Sequence, residues 1–171
     1  MANVDNIRIG ACKVYYKSKD MGHTKGGVTL TKSPEEVKLT VDQWGETPVD
    51  YAVNGEEWTI EARLTEHQLS LLRQLFPTTE EAGANDGRLT FGRNAGFRLR
   101  TQAGQLVLHP LANDATDASE DVVFYKAVPM GEVEVEYTNE DQRIYTVTFV
   151  ALVETGNADG NWLGHIGDST D

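Results

Sequence analysis

Cysteine and positive charge are both scarce in this chain. Cys12 is the only cysteine among 171 residues, so an internal disulfide and a cysteine-based zinc site are both excluded. Fifteen Lys and Arg residues stand against 27 Asp and Glu residues, which gives a net charge of −12. A nucleic-acid binder needs basic residues to displace phosphate counterions, so this balance argues against specific nucleic-acid binding.

Long apolar runs are lacking as well. The opening residues, MANVDNIRIGAC, contain no apolar segment of signal-peptide length, and no later segment approaches the length of a membrane-spanning helix. We therefore expect a protein that is made in the cytoplasm and has no membrane partner. The length favours one domain with a sizeable core, because a chain of this size buries about 70% of its unfolded surface.

Most of the sequence has the pattern of β structure. Short runs rich in Val, Ile, Thr and Tyr, bounded by turn residues, are typical of strands. The predicted β segments are 6–16, 26–31, 35–41, 49–64, 88–93, 97–112, 122–130 and 131–154. Within 49–64 the pair Asn54-Gly55 predicts a two-residue hairpin turn. The Gly-, Asn- and Asp-rich residues after Glu154 have no periodicity, so we divide the chain into a β domain at 1–154 and a loose tail at 155–171.

One helix is predicted at about 65–76, in TEHQLSLLRQLF. Thr65 is expected to cap it with Gln68 as the capping-box partner, and Leu64 to staple onto Leu69. The apolar stripe at helical spacing consists of Leu69, Leu72, Leu75 and Phe76. Pro77 then ends the helix. The predicted fold class is therefore mainly β, a β-sandwich or barrel-like domain with one flanking α-helix.

The stretch VDQWGETPVD, 41–50, places a large aromatic ring in a connection. Gly45 and Pro48 punctuate it, so it reads as a surface loop that leaves the sheet and does not come straight back. Trp44 then has two possible roles. It either covers its own domain or contacts another molecule.

No convergent set of catalytic groups is apparent. The four histidines, His23, His67, His109 and His165, are scattered and lack metal-ligand spacing. Cys12 is expected to be a buried, inert thiol. The acidic stretch 113–121 lacks the spacing of a calcium loop, and GHTKGG at 22–27 is no phosphate loop. We therefore predict a non-enzyme with no catalytic residue, metal or cofactor.

Two charge patterns have a period of two. Glu132, Glu134 and Glu136 alternate with apolar residues, so the carboxylates share one face of a strand. Arg98 and Arg100 flank Leu99 in the same way. The two rows either pair across one sheet within a subunit, or lie on different surfaces and meet between copies.

Together these segments resemble the major tail tube protein of tailed bacteriophages. The likeness covers about residues 6–154. The matching stretches are GHTKGGVTLTKSPEEVKLTVDQWGETPVDY, WTIEARLTEHQLSLLRQLFP and VVFYKAVPMGEVEVEYTNEDQRIYTVTFVALVE.

The resemblance implies a virion structural protein of the phage tail. Such subunits form hexameric rings whose inner strands join into a β-barrel channel, and the rings stack into a tube that delivers the genome. The implied partners are other copies, a sheath or terminator, the tape measure and the baseplate, while DNA passes through the lumen without specific binding. Inter-subunit contacts are then expected at Asp42, Trp44, Thr47 and Pro48, and channel-lining residues at Glu132, Glu134 and Glu136.

Three other interpretations stay open. One is the tube protein of a non-phage contractile injection system, which shares this fold. Another is a monomeric β-barrel that binds a small ligand in a closed pocket lined by rings such as Trp58, Phe97 and Tyr145. The third is a β-fold enzyme, which would need His109 or the acidic stretch 113–121 to lie around a cleft.

Overall fold

The computed structural model describes residues 9–82, 87–135, 137, 139, 142–158 and 160–168. Within them the chain is mainly β with a single α-helix, which confirms the predicted fold class. The elements are β1 (Cys12–Tyr16), β2 (Lys19–Asp20), β3 (Thr24–Thr40), β4 (Pro48–Leu64), α1 (Leu69–Leu75), β5 (Glu80–Ala82), β6 (Arg88–Thr90), β7 (Gly104–Pro110), β8 (Val122–Val135), β9 (Tyr145–Ala151) and β10 (Gly164–Ile166).

Eight strands form one antiparallel sheet in the order β2-β1-β7-β8-β9-β4-β3, with β10 on β8. Strand β10 pairs with residues 122–124 of β8. It occupies the same edge of β8 as β9, which pairs only from Ala127 onward. Strands β5 and β6 form a separate two-stranded sheet. The large sheet curves far enough that β1 also approaches β3.

The core lies on one face of the large sheet. In β9, Tyr145, Val147, Phe149 and Ala151 are buried while the residues between them are half-buried. In β4, Ile60, Ala62 and Leu64 are buried in the same alternation. Helix α1 adds Leu71, Leu72 and Leu75 to this cluster. The helix therefore covers a β core, as the sequence predicts.

The helix begins later than predicted, and the predicted apolar stripe faces the core except at its first residue. Residue Thr65 does not cap it, because its Oγ1 donates to the carbonyl of His23 at 3.1 Å. The backbone N–H of Thr65 bonds the same carbonyl at 3.0 Å, which holds this segment extended. Gln68 is the N-cap and makes no side-chain cap bond. As a result Leu69 is 40% exposed, and Leu71 is buried instead.

The predicted turn at Asn54-Gly55 is wrong. Strand β4 passes straight through it and pairs with β3 along its whole length. Because Glu35 pairs with Gly55 and Glu36 with Val53, Asn54 is the extra residue of a β-bulge. The chain turns instead at 41–47. This stretch, predicted to be a loop that does not come straight back, is the tip of one long hairpin. Continuous cross-strand pairing outweighs the local turn preference of Asn-Gly.

The C-terminal segment is not loose in its described part. Strand β10 pairs with β8, and the N–H of Tyr125 bonds the carbonyl of Leu163 at 3.0 Å. The N–H of Gly167 bonds the carbonyl of Asp121 at 2.8 Å. These bonds use the edge of β8 that β9 leaves vacant, which the composition of the segment does not reveal.

Candidate functional site

The outer half of the β3–β4 hairpin projects from the body as an arm, residues 33–57. Strand β9 pairs with β4 only at residues 59–64, so the arm contains two strands and no third neighbour in the described chain. At 3.3 Å per residue it extends by about 30 Å. A two-stranded hairpin standing alone is marginally stable in water. A partner surface would therefore stabilise the arm.

The arm exposes many apolar side chains. Each has 38–66% of its surface exposed, and together they are Val37, Leu39, Val41, Trp44, Val49, Tyr51 and Val53. They lie on both faces of the arm. Val37 is directly opposite Ala52, and the next pair along the strands is Lys38 and Tyr51. Because successive pairs point to opposite faces, Val37 and Tyr51 lie on different faces. A concentration of exposed apolar side chains in one segment points to an interaction site.

Trp44 lies at the tip of the arm, 41–47, in a short 3-10 turn. Its N–H bonds the carbonyl of Val41 at 3.1 Å, and its carbonyl accepts from the N–H of Thr47 at 3.2 Å. Gly45 has φ of 58°, a left-handed conformation that lets the turn close. The indole is 65% exposed, so Trp44 does not cover its own domain.

The structure brings the four predicted contact residues together at this tip. Asp42 and Trp44 belong to the 3-10 turn, Thr47 closes it, and Pro48 begins β4 opposite Thr40. All of them are exposed. Two acidic side chains flank the indole in sequence, Asp42 and Glu46, and Glu46 lies 3.6 Å from Lys38.

The predicted alternation in β8 is confirmed for residues 132–135. Glu132 and Glu134 are exposed, whereas Val133 and Val135 pack against the core. Glu136, the third predicted channel-lining residue, lies outside the described residues. Glu134 is opposite Thr146 of β9, which is opposite Arg63 of β4. The Glu row therefore does not pair with the Arg98 row across the sheet.

Sequence reasoning missed the rest of the surface to which these carboxylates belong. The register places further polar residues of β3, β4 and β9 on the same side of the sheet, away from the core. This polar face consists of Thr29, Thr31, Thr59, Glu61, Arg63, Thr146, Thr148, Glu132 and Glu134. The alternation of threonines in β9 is the signal that could have revealed it.

The predicted row of arginines on a strand is wrong. Residues Leu99–Gln102 form a 3-10 turn, so Arg98 and Arg100 do not alternate with Leu99 in a sheet. The hydroxyl of Thr101 donates to the carbonyl of Arg98 at 2.7 Å, which favours the turn over a strand. The guanidinium of Arg100 donates to the carbonyl of Val153 at 2.7 Å.

A groove of about 670 Å³ opens between the base of the arm and β10. It arises because β9 ends at Ala151. The edge of β4 at 53–58 and the outer edge of β10 therefore have no strand of the described chain between them, and both border the groove. Its walls are mostly apolar. The lining residues are Val53, Asn54, Gly55, Glu56, Trp58, Val122, Phe124, Val153, Gly160, Trp162, Leu163, Gly164, His165 and Ile166.

Hydrogen bonds fix the polar groups of this groove. The hydroxyl of Tyr125 donates to Asn161 Oδ1 at 2.9 Å, so its oxygen accepts from His165 Nδ1, also at 2.9 Å. Glu56 lies 2.9 Å from Lys32, whose hydrogen bond lowers the pKa of the Glu56 carboxyl. The Lys32 ammonium also lies 5.4 Å above the Trp58 ring.

The rim of the groove near Val153 carries more positive than negative charge. Lys126 Nζ lies 2.7 Å from Glu154, and this hydrogen bond lowers the pKa of the Glu154 carboxyl. Arg100 lowers it further by its charge. Two cations thus face one carboxylate at this rim.

Groups suited to catalysis are dispersed. His109 bonds Asp121 at 2.7 Å, His23 bonds Glu66 at 2.7 Å, and His67 bonds the hydroxyl of Tyr145. Burial raises the pKa of the Cys12 thiol, which disfavours the nucleophilic thiolate. Among the described residues no three His, Cys, Asp or Glu side chains are grouped as metal ligands. No helix in this part of the chain is long and apolar enough to cross a membrane.

The rings predicted to line a closed ligand pocket are separated. Tyr145 is buried in the core, while Trp58 lines the groove. Phe97 lies under the guanidinium of Arg93 at 4.8 Å. No protein-family model and no curated protein matches the chain. Function is therefore inferred from the arm, the polar face and the groove.

Proposed function

We propose that this protein is a structural subunit that assembles into stacked hexameric rings, forming a phage tail tube for genome delivery. The observation that carries the proposal is the arm, whose large apolar side chains are 38–66% exposed. A monomer gains nothing by holding these side chains in water, whereas an assembly buries them.

The strand order supports a ring with a shared sheet. Strand β3 is the last of its sheet, and the end of β8 at 131–135 has β9 as its one neighbour among the described strands. Strands β3, β4, β9 and the end of β8 therefore form a four-stranded unit whose two outer strands have no further paired strand in the described chain. Strand β1 approaches β3 but does not pair with it. Joining β3 of one copy to β8 of the next closes these edges, since only a closed barrel removes them all.

The polar face supports a channel lining. It lies on the side of this four-stranded unit that is turned away from the core, so closure places it either inside or outside the barrel. Its charged residues are Glu61, Glu132, Glu134 and Arg63, which is a net negative set. A negative lining repels phosphates, so DNA slides through without binding.

The remaining parts of the proposal follow from this role. The protein acts without catalysis or cofactor, belongs to the virion tail after synthesis in the host cytoplasm, and contacts a sheath or terminator, the tape measure and the baseplate. The tube of a non-phage contractile injection system would use the same surfaces. Finding the protein in purified phage particles favours the phage tail.

The variant Trp44→Ala tests the proposal. Its matched control is Phe91→Ala, a large apolar residue that is 88% exposed but lies outside the arm and the groove. Loss of a buried aromatic anchor typically costs about 2 kcal/mol or more, so the concentration needed for assembly should rise about 30-fold. Negative-stain images and sedimentation, with wild-type tube fragments added as seeds, measure this concentration.

We expect Trp44→Ala to be folded and monomeric while Phe91→Ala forms tubes. If Trp44→Ala formed normal tubes, the tip would not be part of the interface between subunits. Wild-type protein that stays monomeric with every seed and tail component would overturn the assembly itself.

A further inference from the structure

We propose that the groove beside β10 is the receptor for the arm tip of a second copy of this chain. The inference rests on the proposed function and deepens it, because it names the two surfaces that meet between neighbouring subunits. The partner surfaces are the tip, 41–47, with Trp44 as anchor, and the groove walled by Trp58, Phe124 and Trp162.

The tip cannot enter the groove of its own subunit. Val53 lines the groove, and the paired strand from Pro48 to Val53 separates it from the tip. Strand β3 pairs with this segment and holds it extended, so the tip lies about 20 Å or more from the groove. Any arm tip in the groove therefore belongs to another copy.

The two surfaces match in size and chemistry. A tryptophan buries about 150–250 Å² and needs an apolar pocket with space for its ring. The groove has about 670 Å³, walls that are mostly apolar, and two strand edges without partners in the described chain. It accommodates the indole together with part of the tip backbone, which can bond to either edge.

Charge also favours the tip as the occupant of the groove. Asp42 and Glu46 flank the indole, and Lys38 lies 3.6 Å from Glu46. The groove rim near Val153 carries Arg100 and Lys126 against Glu154. Glu56 inside the groove is already paired with Lys32. The tip therefore keeps a net negative charge from Asp42, and it meets a rim with a net positive charge.

The pairing is heterologous, because tip and groove are different surfaces of one chain. A subunit that gives its tip to one neighbour still offers its groove to another. Such head-to-tail contacts generate a closed ring, or a filament when the rotation does not close. Contact between tip and groove would therefore propagate the assembly from one subunit to the next.

A double-mutant cycle tests the contact. The variants are Trp44→Ala, Trp162→Ala and both together, with Phe91→Ala as control, each measured as the concentration needed for assembly. Each single change should raise it about 30-fold, and the double change should raise it little further, because both remove the same contact. If the two changes acted independently, the concentration needed for assembly would rise by the product of the single effects, about a thousandfold. That result would overturn the pairing.

Cross-linking tests the same contact without removing either tryptophan. In a Cys12→Ser background, Glu46→Cys marks the tip and Ile166→Cys marks the groove, since both positions are exposed. Assembled protein carrying both should give a ladder of covalent oligomers with a short bismaleimide. The control pairs Glu46→Cys with Phe91→Cys and should give none.

The outcomes separate this inference from the proposed function. Normal tubes without a cross-linked ladder would overturn the groove as receptor and leave the tube standing. Protein that stays monomeric with every seed would overturn both. A small molecule that co-purifies in the groove, seen by native mass spectrometry together with a missing ladder, would assign the groove to a ligand instead.

Discussion

The body and the arm are built from the same two strands yet differ in what covers them. In the body, β4 lies between β3 and β9, and side chains such as Ile60 and Ala62 are fully buried. Beyond Thr59 the third strand is gone, and Tyr51 and Val53 of the same β4 are 56% and 66% exposed. One strand thus contributes to folding at one end and presents an unburied surface at the other.

An alternating apolar pattern alone therefore does not identify a core. Val49, Tyr51 and Val53 alternate along β4 in the same way as Ile60, Ala62 and Leu64. The two groups differ in whether a third strand lies beside β4. Strand β9 pairs with the second group and ends before it reaches the first. Substitutions in the body should therefore affect folding, whereas changes in the arm should affect association.

The largest effect is expected for Phe149→Ala in the body. Phe149 is fully buried, and its ring lies 5.1 Å from that of Tyr16. Removing a buried aromatic ring costs about 3–5 kcal/mol of unfolding free energy. Urea denaturation followed by circular dichroism measures it.

The control for this change is Val150→Ala, the next residue on the half-buried side of β9. It should lose distinctly less stability than Phe149→Ala. Equal losses would mean that the two faces of β9 do not differ as the structure indicates.

An intermediate effect is expected for Gly164→Ala in β10. A Cβ at this position would lie 2.1 Å from the backbone carbonyl oxygen of Val123, so β10 must move away from β8. Such overpacking costs about 1–3 kcal/mol. Amide hydrogen exchange should accelerate at Tyr125 and Gly167, whose N–H groups bond to Leu163 and Asp121.

Gly156→Ala is the control, because nothing lies within 4 Å of a Cβ placed there. Unchanged protection at Tyr125 in Gly164→Ala would show that β10 does not depend on this close approach. Loss of protection across the whole sheet would show that β10 is part of the body rather than an addition to its edge.

Much of the body is predictable because its signals are local. The alternation in 145–151 identifies β9 and its buried face, and Pro77 marks the end of the helix region. The helix start is not predictable, since Thr65 bonds to His23, which is distant in sequence. Asn54-Gly55 misleads for the same reason, because pairing between β3 and β4 outweighs the turn.

The candidate site is less predictable than the fold. Gly45 and Pro48 do identify the tip, and the structure confirms that Trp44 is exposed. The groove depends on the register at which β9 ends and β10 begins, which is a property of the assembled sheet. The polar face likewise combines residues from four strands, and a single stretch of sequence reveals only its Glu row.

The smallest effect on folding is expected when the arm itself is shortened. Replacing residues 38–51 by Asn-Gly joins Val37 to Ala52, which are directly opposite each other, through a favoured hairpin turn. The change removes exposed side chains and keeps the groove residues from Val53 onward. The unfolding free energy should change by about 1 kcal/mol or less, since surface regions contribute little and a shorter loop costs less entropy.

Assembly should nevertheless be lost, because the shortened chain has no tip to give. It still has a groove to offer, so adding it to wild-type protein should cap growing ends and shorten the tubes seen by negative stain. A shortened chain that unfolds as readily as Phe149→Ala would show that the arm is part of the folding unit. One that assembles normally would show that the arm has no role in association, and the contrast between arm and body would then lose its functional meaning.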